Sequence, residues 1–294
     1  MQTLSLTRRV AVLLLAIFLL PAACRAEKNL SIVASFYPMY IMALNVAGDI
    51  PGVEVACLTP TVSGCLHDYS LTPREMKRFE TADILVVNGA GMEAFLEQAR
   101  AVNPRMRVVS LSDGIPLIEE GGAVNPHVWV SVSGAMAETQ NLVKGLCRED
   151  PGHAAEYSRN GAAYCDRLSR LSVSMRAELA PLCGLSIVTF HEAFPYFARE
   201  FGLEICAVIE REPGSAPGAR ELAQTIMTVR EKKARVIFSE PQYPSDAAGT
   251  IARETGARVY VLDPAVTGPD QPDAYIKIME KNRETLKEAL KEHA

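Results

Sequence analysis

The chain is 294 residues long, 48% hydrophobic and 22% charged, with 30 basic and 35 acidic residues. That is enough for two domains of ordinary size, and so high an apolar fraction at a net charge of −5 excludes a disordered chain. The charge balance carries no footprint for nucleic acid. The first element is an export signal. Arg8 and Arg9 precede the uncharged run Val10 to Leu20, which is too short to span a bilayer that needs about 20 residues. Cleavage after Ala26 is expected to release a soluble protein. Cleavage before Cys24 would leave a cysteine for lipid anchoring, although Pro21 stands where that signal prefers Leu. Losing residues 1–26 removes three arginines and leaves a mature net charge of −8.

Beyond the signal, apolar runs predict buried strands at 30–36, 53–58, 83–88 and 107–111, with helices between and after them. Thr72-Pro73-Arg74-Glu75 marks one helix start: a capping Thr, Pro at the first position and Glu three after the cap. A helix is predicted over 133–149, and Asp150-Pro151-Gly152 then breaks the chain. From His153 to Leu182, the residues Tyr157, Tyr164, Leu168, Leu171, Met175 and Leu179 form one apolar stripe on a helix. At 1.5 Å per residue it is roughly 40 Å long, enough to run along two lobes, with a helix inside one lobe as the alternative. Strands are predicted again at 185–190, 203–209, 235–239 and 258–262. Helices follow near 192–201, 219–233, 245–255 and 272–291. Repeated strand–helix units imply parallel sheets covered by helices on both faces. The expected fold class is therefore α/β, with an export signal (1–26), an N-terminal lobe (27–150), a connecting helix (151–182) and a C-terminal lobe (183–294).

Ligands of open parallel sheets sit at the carboxyl ends of strands, and three of the five histidines fall there. His67 lies in the loop after 53–58, His127 ends a loop after 107–111, and His191 directly follows 185–190. Asp263 directly follows 258–262. Three imidazoles and a carboxylate are a normal tetrahedral set for zinc. His153 opens a helix and His293 is in the tail, so neither belongs to this set. Six cysteines remain beyond Cys24 with no CxxC, and an exported chain permits disulfides. Cys57 with Cys65 closes a short loop and is the first pairing to test, with buried free thiols as the alternative.

The same residues carry a family resemblance. The segments His67-Asp68-Tyr69-Ser70-Leu71-Thr72-Pro73, Asn125-Pro126-His127-Val128-Trp129, Phe190-His191-Glu192-Ala193-Phe194-Pro195-Tyr196-Phe197 and Leu262-Asp263-Pro264 resemble, in order, the four metal-ligand motifs of the zinc and manganese solute-binding proteins of ABC transporters. Ser35-Phe36-Tyr37-Pro38-Met39 and Glu240-Pro241-Gln242 also match. The resemblance spans nearly all the mature chain. It implies two lobes joined by one long helix and a divalent metal held between them by His67, His127, His191 and Asp263. It also implies delivery to a membrane permease by a monomeric, periplasmic or lipid-anchored protein. Glu240, near the end of the predicted strand 235–239, is a candidate outer partner or alternate ligand, with a surface turn before Pro241 as the alternative. The metal expected is Zn²⁺, because His stands at the third position where a Glu goes with Mn²⁺, the second choice. Many zinc-uptake members carry a long His- and acid-rich loop before the second ligand. Here residues 113–124 offer only Glu119 and Glu120, so a metal-collecting loop is not expected.

Three other functions compete. Asn88-Gly89-Ala90-Gly91-Met92-Glu93-Ala94 fits a dinucleotide fingerprint, but on the third strand of its lobe and in an exported chain. His191-Glu192-Ala193-Phe194-Pro195 approaches a zinc-hydrolase motif but has Pro where the second ligand belongs. A siderophore or chelated-metal binding protein on the same plan should gather aromatic and basic residues, where this chain gathers histidines. No catalysis is expected.

Overall fold

A computed structural model describes residues 29–66, 69–120, 122–210 and 217–291. The export signal, Cys24, His67 and His293 lie outside the described residues. In one lobe β1 (Leu30–Ala34), α1 (Tyr37–Ala47), β2 (Val53–Cys57), α2 (Pro73–Thr81), β3 (Ile84–Val87), α3 (Leu96–Val102) and β4 (Arg107–Ser110) follow in turn. The four strands are parallel, in the order β2-β1-β3-β4. Each begins and ends within two residues of its apolar run. The start of α2 is capped as the sequence requires: Thr72 Oγ1 accepts from Glu75 N, and Thr72 N donates to Glu75 Oε2 at 2.8 Å.

A short antiparallel hairpin over 118–125 stands where the sequence predicts a plain loop. β5 (Ile118–Glu120) pairs with β6 (Ala123–Asn125) in the register Ile118↔Asn125, Glu119↔Val124, Glu120↔Ala123. Gly122 leads into β6 with a φ of +85°, a left-handed conformation that glycine adopts without strain. A single 3₁₀ turn (Val128–Val130) then leads into α4 (Val132–Glu149).

α5 (Ala154–Leu179) is the long helix, about 39 Å at 1.5 Å per residue. Every residue of its apolar stripe is buried. It packs on α1 and α4 from the first lobe and, in the second, on α6 (Pro195–Phe201) and α9 (Ala274–Leu290). A helix confined to one lobe is thereby excluded. His153, just before it, pairs with Asp150 Oδ2 at 2.7 Å, a group that also accepts from Tyr157.

The second lobe holds β7 (Ser186–Thr189), α6, β8 (Glu204–Val208), α7 (Ala219–Glu231), β9 (Val236–Ser239), α8 (Asp246–Thr255), β10 (Arg258–Val261) and α9. Its sheet is also parallel, in the order β10-β9-β7-β8. One continuous buried cluster runs through both lobes, from Ile32 and Leu85 through Leu168 and Met175 to Phe238 and Met279. Polar contacts join the lobes further: Tyr37 Oη donates to Pro269 O at 2.9 Å, and Gly268 N to Thr61 O at 3.2 Å.

Candidate metal centre

The carboxyl ends of the strands deliver the site. β7 ends one residue before Phe190-His191, β9 ends directly before Glu240, and β10 ends one residue before Leu262-Asp263. Because the strands lie in the order β10-β9-β7, Glu240 comes up between Asp263 and His191. From the first lobe, the β5–β6 hairpin delivers Asn125 and then His127.

Each histidine is held by one nitrogen. The Asn125 side-chain oxygen accepts from both His127 N and His127 Nδ1, each at 3.0 Å, while Asn125 Nδ2 donates to Glu192 O at 2.8 Å. An amide oxygen only accepts, so the His127 proton is assigned to Nδ1 and the lone pair to Nε2. On His191 the partner is a carboxylate: Nδ1 donates to Glu240 Oε1 at 2.5 Å, and the backbone N lies 3.3 Å from the same oxygen. Gln242 Nε2 donates to the other oxygen, Oε2, at 2.7 Å. A carboxylate behind a histidine that presents its second nitrogen is a common device for orienting metal ligands. The two rings stand 5.2 Å apart, edge to face, and are 2% and 0% exposed.

Cys65 completes a cluster the sequence did not announce. One ligand atom each from Cys65, His127 and His191 lie within 4.8 Å of one another. Cys65 Sγ is 3.9 Å from His191 Nε2. Cys57 and Cys65 are both free thiols, so the pairing to be tested first does not form here. Cys57 ends β2 beside Thr59 and Arg78, whereas Cys65 faces the second lobe.

Asp263 stands outside that cluster. Its N–H donates to Asn282 Oδ1 at 2.9 Å, its carbonyl accepts from Asn282 Nδ2 at 2.7 Å, and its Oδ1 accepts from Ala265 N at 2.8 Å. Burial pushes its carboxyl up to about 6; the Ala265 amide pulls it back, and the charge on Glu240 pushes it further up. Trp129 ties this corner to the second motif, its Nε1 donating to Pro264 O at 2.9 Å. The aromatic and amide residues of the motifs thus act as cross-lobe struts. Sequence reasoning gave Asn282 no role, weighed Cys65 only as a disulfide partner, and met Asn125 only as the first residue of the second motif. Asn125 at least stood two residues before a candidate ligand.

The competing motifs take other roles. In the glycine turn after β3, the Glu93 carboxylate accepts from Asn88 N at 2.8 Å and Gly89 N at 3.0 Å, and from Ser35 Oγ at 2.8 Å. The turn fills its own amide cradle with a carboxylate, where a dinucleotide would need its phosphates. His191-Glu192-Ala193-Phe194 lies before α6 begins at Pro195, so the residues do not share a helix face.

Two α/β lobes on a long helix, with paired imidazoles buried at facing strand ends, define a cleft-type binding protein for a small cation. The chain belongs to the family described as zinc-uptake complex component A, periplasmic, whose pattern it matches over residues 32–289. It is a metal-binding solute-binding protein of ABC transporters, not an enzyme. It is 31% identical over 273 residues to the iron-binding protein YfeA of Yersinia pestis, covering 88% of this chain and 86% of that one. To the high-affinity zinc uptake system protein ZnuA of Bacillus subtilis it is 29% identical over 306 residues, covering 94% and 95%. The solved structure of the solute-binding protein FpvC of Pseudomonas aeruginosa with Ni²⁺ superposes with a TM-score of 0.83 at 32% identity, covering 91% of this chain and 98% of that one. FpvC is also known with Mn²⁺. Among the described residues no helix is long and apolar enough to cross a membrane.

Proposed function

We propose that this protein captures Zn²⁺ outside the cytoplasm and hands it to the membrane permease of an ABC transporter. His67, His127, His191 and Asp263 hold the ion, and Glu240 orients His191. The observation that carries the reading is the convergence of two buried imidazoles whose Nδ1 atoms are both engaged, so that both Nε2 lone pairs serve one ion. Imidazole suits zinc, whereas carboxylate oxygens suit manganese. Export follows from the signal at 1–26, with Cys24 as the anchor should cleavage precede it. The protein works as a monomer.

The cross-lobe bonds of Asn125 and Trp129, together with α5, support a release that moves local loops and leaves the two lobes in place. A manganese or other divalent cargo is the second reading, favoured by the carboxylate of Asp263 and by the ions bound to FpvC. Competition titrations of Zn²⁺ against Mn²⁺ separate the two. The wild type should prefer zinc, and His191→Glu should lower zinc affinity and narrow the gap. A wild type that prefers manganese, or a ratio unchanged by the substitution, refutes the assignment to zinc.

A further inference from the structure

We infer that the Cys65 thiolate enters the inner sphere of the bound metal, giving the site a sulfur donor beside its imidazoles. The inference rests on the metal-binding reading above and adds a ligand to it. Cys65 follows Gly64, whose φ of +78° is a left-handed conformation that glycine adopts without strain. Gly64 lies against Gln242 and Tyr243 of the opposite lobe, with Gln242 Cγ and Tyr243 Oη each about 4 Å from where a Cβ would project. The turn therefore carries the first-lobe loop across the cleft and sets Sγ 3.9 Å from His191 Nε2.

With Cys65 as a fifth donor the site is five-coordinate, and zinc–sulfur and zinc–nitrogen bonds of about 2.3 and 2.05 Å at angles of roughly 90–120° put S and N roughly 3.1–3.8 Å apart. The observed 3.9 Å lies just beyond that range, so ligation needs little more than side-chain adjustment. No other described carboxylate, thiol or imidazole joins Cys65, His127 and His191 within the same 4.8 Å limit, Asp263 included. Binding exchanges the thiol proton for the metal: M²⁺ replaces H⁺ on Sγ, and the proton leaves to solvent. A thiolate favours borderline and soft cations such as zinc and cobalt over manganese. Cys65 thus adds to the selectivity that His191 supplies.

The test uses the mature protein and Co²⁺ as probe. Wild type with one equivalent of Co²⁺ should show thiolate-to-cobalt charge-transfer absorption in the near ultraviolet. Cys65→Ser should still bind one equivalent but lose that band, with Zn²⁺ affinity lowered at least about tenfold and by a larger factor than Mn²⁺ affinity. A wild-type complex that binds Co²⁺ stoichiometrically without the band, or a band that persists in Cys65→Ser, overturns the inference and leaves the metal site standing. Failure of wild type to bind Co²⁺ or Zn²⁺ at all overturns both. Should Cys65→Ser misfold, X-ray absorption of the wild-type zinc complex decides alone. One sulfur at about 2.3 Å supports the inference, and a shell of only nitrogen and oxygen refutes it.

Discussion

Glu240 offers the sharpest test of how the site is built. Its Oε1 holds His191 Nδ1 at 2.5 Å and faces the His191 amide at 3.3 Å, and its side chain is fully buried. Glu240→Ala removes both the group that orients the ring and a negative charge near the ion. Loss of such a partner typically costs 10–100-fold in metal affinity, and the burial here places the expected loss near 100-fold, about 2.7 kcal/mol. Glu240→Gln keeps an acceptor oxygen for Nδ1 and loses only the charge, so about tenfold, or ~1.4 kcal/mol, is expected. The new amide is accommodated because the buried Oε1 of Gln242 has no hydrogen-bond partner and can turn to accept from it. Zinc titration against a competing chelator measures all three proteins. If Glu240→Ala stays within about twofold of wild type, orientation by this carboxylate is refuted. Equal losses in both variants would make Glu240 itself a ligand.

Two further outcomes follow from the geometry. Asp263 is raised to about 6 in the folded protein, above its ordinary value near 3.9. Between about pH 4 and 6 the folded metal-free protein therefore binds more protons than the unfolded chain, and stability falls as pH rises through that window. The upper bound for this group is ~3 kcal/mol. Asp263→Asn keeps the bond from Ala265 N and removes the charge. Its metal-free Tm should exceed that of wild type at pH 7.5 by more than at pH 5, and a constant difference would refute the shift. Gly134→Ala tests the support of the His127 segment. A Cβ there would lie 2.1 Å from Val128 O, and backbone cannot yield as a side-chain tip can. A loss of about 1–3 kcal/mol in urea unfolding, together with weaker zinc binding, is expected. A wild-type midpoint would show that the turn has more room than the geometry implies.

Most of the fold is legible locally. The eight strands of the two parallel sheets sit where the apolar runs place them, most plainly β3, β7 and β9, which are buried almost throughout because helices cover both faces of a central parallel strand. The Thr72–Glu75 capping box and the stripe on α5 read directly, since each depends on residues no more than a few turns apart. The hairpin at 118–125 has a local signal in the Gly121-Gly122 dipeptide, which reading 113–124 as a loop leaves unused. Strand ends also made His127, His191 and Asp263 candidates, though not neighbours.

What no local pattern contains is lateral order. The sequence β7-β8-β9-β10 becomes β10-β9-β7-β8 across the sheet, and only that crossover brings Glu240 between Asp263 and His191. Parallel pairing is decided by how whole strand–helix units pack, over separations of dozens of residues. Cys65 is the extreme case. Alone it reads as one more half-buried thiol, and its nearness to His191, 126 residues away, exists only because the loop after β2 meets the other lobe at Tyr243 and Gln242. Residue types at strand ends follow from the chain itself; which of them share one ion is set by the packing of two sheets about a common helix.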